Sequence, residues 1–438
     1  MLLRTLAMAA VLLATSCVSR PPVTADAARA ALGQAAEAYV HLSLEIGEHE
    51  PGYIDAYYGP AEWAAQAKAA KRPLPTLRAD AEALIARLQA IDDSALGTLE
   101  TRRKHFLIAQ LTAAKTRMAM LSGEKLSFDD EAEGLYDYRP VLQPLSAYDP
   151  LLAKIDALVP GPGPLWKRVD DVTARTALAP DRIDRVMRAA IDECKRRTVQ
   201  HIALPPGEKF TLELVTKQPW SGYNWYKGNG VSVIQINTDL PVLMSRVVDL
   251  GCHEGYPGHH VLNLLLEKNL YQDRGWVEFS VYPLYSPQSF IAEGSANFGI
   301  ELAFKGNERE TFEREVLYPL AGLDPALAKQ DAQLQRARSG LAGARLTIAR
   351  EYLDGRITRG EAVALAQKYQ LLSTERAEQG ISFTDKYRSY VINYGLGLDL
   401  VREYVDRAGP GDAARWAAME RILSEPTTPS DLMRAPRQ

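Results

Sequence analysis

The stretch Leu250–Leu262, LGCHEGYPGHHVL, holds three of the chain's seven histidines. It opens as the HExxH metal motif does, with His253 followed by Glu254. In that motif the second histidine stands four residues after the first, on the same helical face. Here Pro257 takes that place, and the next histidines are His259 and His260. A catalytic zinc needs three protein ligands, an open position for water and a nearby carboxylate to accept that water's proton. His253 and Glu254 have the types for ligand and base. On a straight helix, however, His259 lies ~9 Å along the axis from His253 and His260 ~10 Å, too far to share an ion. GYPG is no regular helix. Pro257 removes a backbone donor, while Gly255 and Gly258 relax the chain. A bulge or kink there returns His259 to His253 as the favoured second ligand, with His260 as the alternative or as a hydrogen-bonding neighbour.

The third ligand is sought on another helix. Glu293, in FIAEGSANFGIE, sits among Ile291, Ala292 and Ala296, so its carboxylate is expected to face the interior. Asn297, four residues on, shares that face and is placed to orient a ligand histidine. SVIQINTD precedes the His-Glu segment and is read as an edge strand able to pair with an extended peptide. Each feature alone is commonplace: a His-Glu pair means little, and a glutamate on a helix is usually solvated. Together, three clustered histidines and a glutamate bedded among apolar residues point to a metal site.

HEGYPGHH is similar to the HExxPGHH signature of the bacterial domain-of-unknown-function 885 family, which is grouped with the zincin-like metallopeptidases. Many of that family's members are classed as lipoproteins. EGSANFGIE resembles the family's EGWAxYxE element, with Ser295 where tryptophan is usual and Asn297-Phe298 in place of a more apolar-aromatic pair. GARLTIAREYLDGRITRGEAVALAQ and YVINYGLG resemble its C-terminal arginine-bearing helix and its Tyr-x-x-Gly segment. The resemblance implies a helical zincin-like fold, one zinc ion per chain and peptidase-type hydrolysis. On that reading His253, His259 and Glu293 hold the metal and Glu254 is the general base. Tyr394, beside a flexible glycine, donates to the developing oxyanion. Arg345 is read first as making a helix-surface salt bridge and otherwise as binding a substrate carboxylate. Tyr223 and Tyr226 are expected to line the cleft. The substrate is a peptide or another amide. Two other readings are a zinc amidase acting on cell-wall amides and an envelope lipoprotein without catalysis.

Helical periodicity dominates the elements that must carry these residues. TADAARAALGQAAEAYVHLSLEIG, TLRADAEALIARLQAI and TRRKHFLIAQLTAAKTRMAML read as amphipathic helices. APDRIDRVMRAAIDECKRR puts Ile183, Val186, Met187, Ala190, Ile191 and Cys194 on one face, leaving its arginines on a solvated side. Within residues 36–59, His41, Glu45, Glu48 and His49 read as a solvated helix face or a lid over the cleft. KFTLELV and GVSVIQINTD alternate as strands do, with WSGYNWYKGNG as a turn between them. Ser286-Pro287 opens a helix, and Asp324-Pro325 opens a long one reaching Leu353. The expected fold is mainly α with a small antiparallel β-sheet beside the active-site helix. Residues 29–204 form a helical N-terminal region packed with a catalytic region over 205–438.

Composition is that of an ordinary globular chain, 46% hydrophobic and 24% charged. A net charge of -4 and pI near 6.1 supply no electrostatic reason to expect nucleic acid. Arg4 precedes LAMAAVLLAT, a run too short to span a bilayer and shaped like a secretory signal. Cys17, directly after Ala14-Thr15-Ser16, matches the lipidated cysteine of a bacterial lipoprotein signal, with residues 18–28 as tether. The chain is therefore expected to be exported and to touch the membrane only through a lipid anchor. Its place would be the periplasm-facing outer membrane or, without the lipid, the periplasm. Cys194 and Cys252 remain, free or paired.

Overall fold

The computed structural model describes residues 24–434, so the signal segment and Cys17 lie outside the described residues. The amphipathic runs fold into α1 (Ala25–Gly47), α2 (Leu74–Gln89), α3 (Thr98–Leu121) and α4 (Ile183–Thr198). Thr24 caps α1, its hydroxyl accepting from the Ala27 amide. On α4 the six apolar positions from Ile183 to Cys194 are all buried, as their spacing requires.

The strands are β1 (Ile54–Tyr57), β2 (Lys209–Val215), β3 (Gly222–Tyr226), β4 (Val231–Asn237) and β5 (Val281–Pro283). β1 and β5 pair antiparallel on their own. The other three stand in the order β2-β4-β3. β3 and β4 are antiparallel, with Tyr223 opposite Gln235, whereas β2 joins β4 in parallel. Two expectations are corrected here. The aromatic-glycine stretch expected as a turn contains β3. β4, expected at the edge, is the central strand, with Ser232, Ile234 and Ile236 buried, and the edge role falls to β3.

The site is built from α5 (Met244–Glu254), α6 (His259–Leu266), α7 (Pro287–Ala303), α8 (Leu327–Ser339), α9 (Ala342–Leu353), α10 (Thr374–Tyr387) and α11 (Ile392–Arg407). The long helix expected from Asp324 to Leu353 is two helices, divided at Gly340, a poor helix former. Ser286 precedes α7 as expected, but its hydroxyl donates to the Pro283 carbonyl rather than capping the helix.

One hydrophobic cluster runs from Leu32 on α1 through Ile191, Leu264 and Phe298 to Val401 on α11. A smaller one gathers Tyr148, Leu334, Ile348, Tyr369 and Ile381. α7 and α11 cross in close contact through glycines. A Cβ on Gly294 would stand 2.8 Å from Gly397 Cα, well inside contact distance. Among the described residues no helix is long and apolar enough to cross a membrane.

Candidate metal centre

α5 ends at Glu254, the chain crosses Gly255–Gly258 with a cis bond between Tyr256 and Pro257, and α6 begins at His259. GYPG thus separates two helices instead of kinking one. The Gly258 amide donates to the Cys252 carbonyl at 3.1 Å, and a Cβ on Gly258 would overlap the His253 carbonyl. Only glycine permits that approach. The turn sets His259 Nε2 3.1 Å from His253 Nε2, with the two rings edge to face.

Glu293, inside α7, completes the group. Its Oε2 lies 3.0 Å from His253 Nε2 and 3.7 Å from His259 Nε2. The three ligand atoms stand within 4.8 Å of one another, so this group can hold a metal ion. The Tyr390 hydroxyl donates to Glu293 Oε1 at 2.8 Å. Asn297, one turn along α7, controls the first histidine. Its Nδ2 donates to the Tyr394 carbonyl at 3.1 Å, which fixes the amide's orientation. Asn297 Oδ1, 3.0 Å from His253 Nδ1, must therefore accept, so Nδ1 carries the proton and Nε2 presents its lone pair. Glu293 Oε2 is buried and receives no hydrogen bond. A lone pair, a second imidazole nitrogen and an unsatisfied carboxylate oxygen facing one point make a nitrogen and oxygen donor set that fits a divalent metal ion.

His260 turns away. Fully buried, it places Nδ1 2.8 Å from Ser232 Oγ on β4 and Nε2 2.8 Å from Glu208 Oε2. The Tyr256 hydroxyl donates to the same Glu208 oxygen at 2.5 Å, and Lys195 on α4 pairs with the other oxygen. Residues on both sides of Pro257 are thereby tied to one carboxylate just ahead of β2. Reading the sequence did not single out Glu208. The disulfide between Cys194 and Cys252 joins α4 to α5 one residue before His253.

Glu254 is 4% exposed, and burial pushes its carboxyl up to about 7; the charge of His259 opposes this and that of Glu293 adds to it. Gly222 on β3 leaves room for it, since a Cβ there would lie 3.0 Å from Glu254 Oε1. A cleft of about 750 Å³, bordered by both hydrophobic clusters, opens onto these groups. Tyr394 lines it, with its ring 6.3 Å from that of His253 and nearly parallel. Arg345 lines it too and, among the described residues, forms no helix-surface salt bridge. Its guanidinium lies 5.2 Å from the Phe383 ring and 5.6 Å from that of Tyr394, and burial lowers its pKa.

Tyr223 lines the cleft and donates to Asp55, but Tyr226 does not reach it. Residues three apart on a strand point to opposite faces, and Tyr226 is buried with its hydroxyl on Glu267. Asp55, on β1, went unnoticed in the sequence. It faces the same cleft, its carboxyl pushed up to about 6 by burial against the Tyr223 hydrogen bond. Its neighbours within residues 36–59 lie elsewhere: His41 packs on Trp63, Glu45 pairs with Arg72, and His49 contacts the Arg72 carbonyl. Tyr390 was also passed over, although its spacing of four from Tyr394 was a usable signal.

No family model and no curated protein matches the chain. Among solved structures it is similar to "the putative lipoprotein from Colwellia psychrerythraea", at 15% identity and a TM-score of 0.47, over 80% of this chain and 69% of that one. It is also similar to an M32 carboxypeptidase from Deinococcus radiodurans R1, at 12% identity and a TM-score of 0.37, over 92% of this chain and 93% of that one.

Proposed function

We propose that this chain is a zinc-dependent hydrolase of the HExxPGHH type, a peptidase held at the cell envelope by a lipid on Cys17. The observation that carries the reading is the convergence of His253, His259 and Glu293 within 4.8 Å beside a buried carboxylate, Glu254. Zinc bound there supplies a Lewis acid that activates water and polarises an amide carbonyl. Glu254, buried beside these groups, takes a proton from the attacking water and later delivers it to the departing amine. The Tyr394 hydroxyl donates to the carbonyl oxygen as charge builds on it. Arg345, which among the described residues has no carboxylate within 4.0 Å, receives a carboxylate of the substrate. β3, the edge strand lining the cleft, offers its backbone to an extended peptide.

The test is turnover by the zinc-loaded chain on a panel of peptides and muropeptide fragments. Peptide cleavage is expected, and Glu254→Gln is expected to lower kcat by ~10²–10⁴-fold with zinc retained. Cleavage confined to muropeptides would replace the peptidase with a cell-wall amidase. Full turnover by Glu254→Gln would remove Glu254 from the reaction.

A further inference from the structure

Three arginines, Arg246, Arg338 and Arg376, line the cleft on three different helices. Arg246 stands in the first turn of α5 and Arg376 in the first turn of α10, while Arg338 is in the last turn of α8. A cation in a first turn opposes the helix dipole, so two of these positions are unfavourable for the helices that carry them. Arg246 and Arg376 also share a small recess with Pro241, Leu243 and Gln379.

This charge has little internal compensation. Arg338 donates to the Gln370 carbonyl at 3.2 Å and Arg376 to the Pro241 carbonyl at 2.9 Å, and among the described residues neither has a carboxylate within 4.0 Å. Arg246 reaches Asp249 at 3.3 Å, but Asp249 is held more closely by Arg309, at 2.6 Å. Asp170 lines the same cleft without closing an ion pair on any of the three. Burial lowers the pKa of Arg338 and of Arg376; Asp170 opposes this at both and Asp331 at Arg338, while the neighbouring arginines' charges add to it. Arg103, the most enclosed arginine with a partner, is paired with Glu278, whereas Arg246 is 48% exposed at its side chain and Arg338 and Arg376 are partly buried, so all three can be reached from the cleft.

We infer that Arg246, Arg338 and Arg376 form a subsite for an acidic side chain of a peptide substrate, and that this subsite sets specificity. Arg246 precedes His253 by two turns of α5, ~10 Å along the axis. An extended chain advances ~3.3 Å per residue, so the acidic residue falls about three residues from the bond to be cut. That placement rests on the hydrolase reading; the recognition of charge does not.

The experiment uses the full chain carrying Glu254→Gln, with zinc added, titrated by fluorescence anisotropy. The probes are labelled peptides with Glu three residues to either side of the central bond, and their Gln counterparts. The Glu peptides are expected to bind at least ~10-fold more tightly, with a gap that narrows as salt rises. Arg338→Gln with Arg376→Gln should abolish the gap, and Arg338→Lys with Arg376→Lys should restore part of it. Equal affinity for the two peptide sets overturns the inference, as does a gap that survives the Gln pair. Turnover by the unsubstituted zinc-loaded chain is followed in parallel. No cleavage with the binding gap intact removes the hydrolase reading and leaves the subsite. Cleavage of both sets with equal kcat/KM and no gap does the reverse.

Discussion

At His253 the proton sits on Nδ1 because Asn297 Oδ1 accepts it, and Asn297 is itself turned by the Tyr394 carbonyl. Asn297→Ala would free the ring to rotate and to exchange tautomers. Zinc affinity, read by competition with a chromophoric chelator, is expected to fall ~10–100-fold with little change in melting temperature. Unchanged affinity would mean that Asn297 does not orient the ligand. This residue was legible in the sequence because helical periodicity places it one turn beyond Glu293. The choice between His259 and His260 was not, because it depends on how two helices meet across GYPG. The neighbouring histidine instead serves Glu208 and Ser232, partners that no local pattern announces.

At the scale of elements, Glu293 is placed by the crossing of α7 and α11, which meet through Gly294 and Gly397. Gly294→Ala adds a methyl where backbone already lies, so the helices must separate and carry the adjacent Glu293 with them. A loss of about 1–3 kcal/mol in chemical denaturation is expected, with weaker zinc binding. Wild-type stability in that variant would show that the crossing tolerates more space than its geometry indicates. The helices themselves were legible from apolar spacing. The break at Gly340 and the strand inside WSGYNWYKGNG were less so. β3 is short and aromatic on both faces, so its alternation is hidden, and that concealment is why Tyr226 was expected in the cleft beside Tyr223. Once the stretch is seen as a strand, the two must face apart.

At the scale of the molecule, the cleft gathers groups from distant parts of the chain, and distance in sequence is what hid them. Asp55 reaches the cleft from β1, almost two hundred residues before His253, through a pairing of β1 with β5 that no spacing reveals. The disulfide has a similar reach, closing a sequence separation of 58 between α4 and α5. A bond of this kind persists in oxidising compartments, which agrees with the export read from the first seventeen residues. Cys194→Ser with Cys252→Ser is expected to cost about 2–4 kcal/mol of stability by releasing the unfolded chain. An unfolding midpoint identical with and without reductant would contradict that.

On the reading proposed above, HEGYPGHH, parted by a helix break, forms a metal centre with Glu293. This is tested most directly by elemental analysis of a chain beginning after Cys17, beside its His253→Ala and Glu254→Gln forms. About one zinc per chain is expected, as the three-ligand group implies, lost in the alanine form and kept in the glutamine form. Absence of metal from all three after zinc is supplied, or equal zinc in the alanine form, would contradict it.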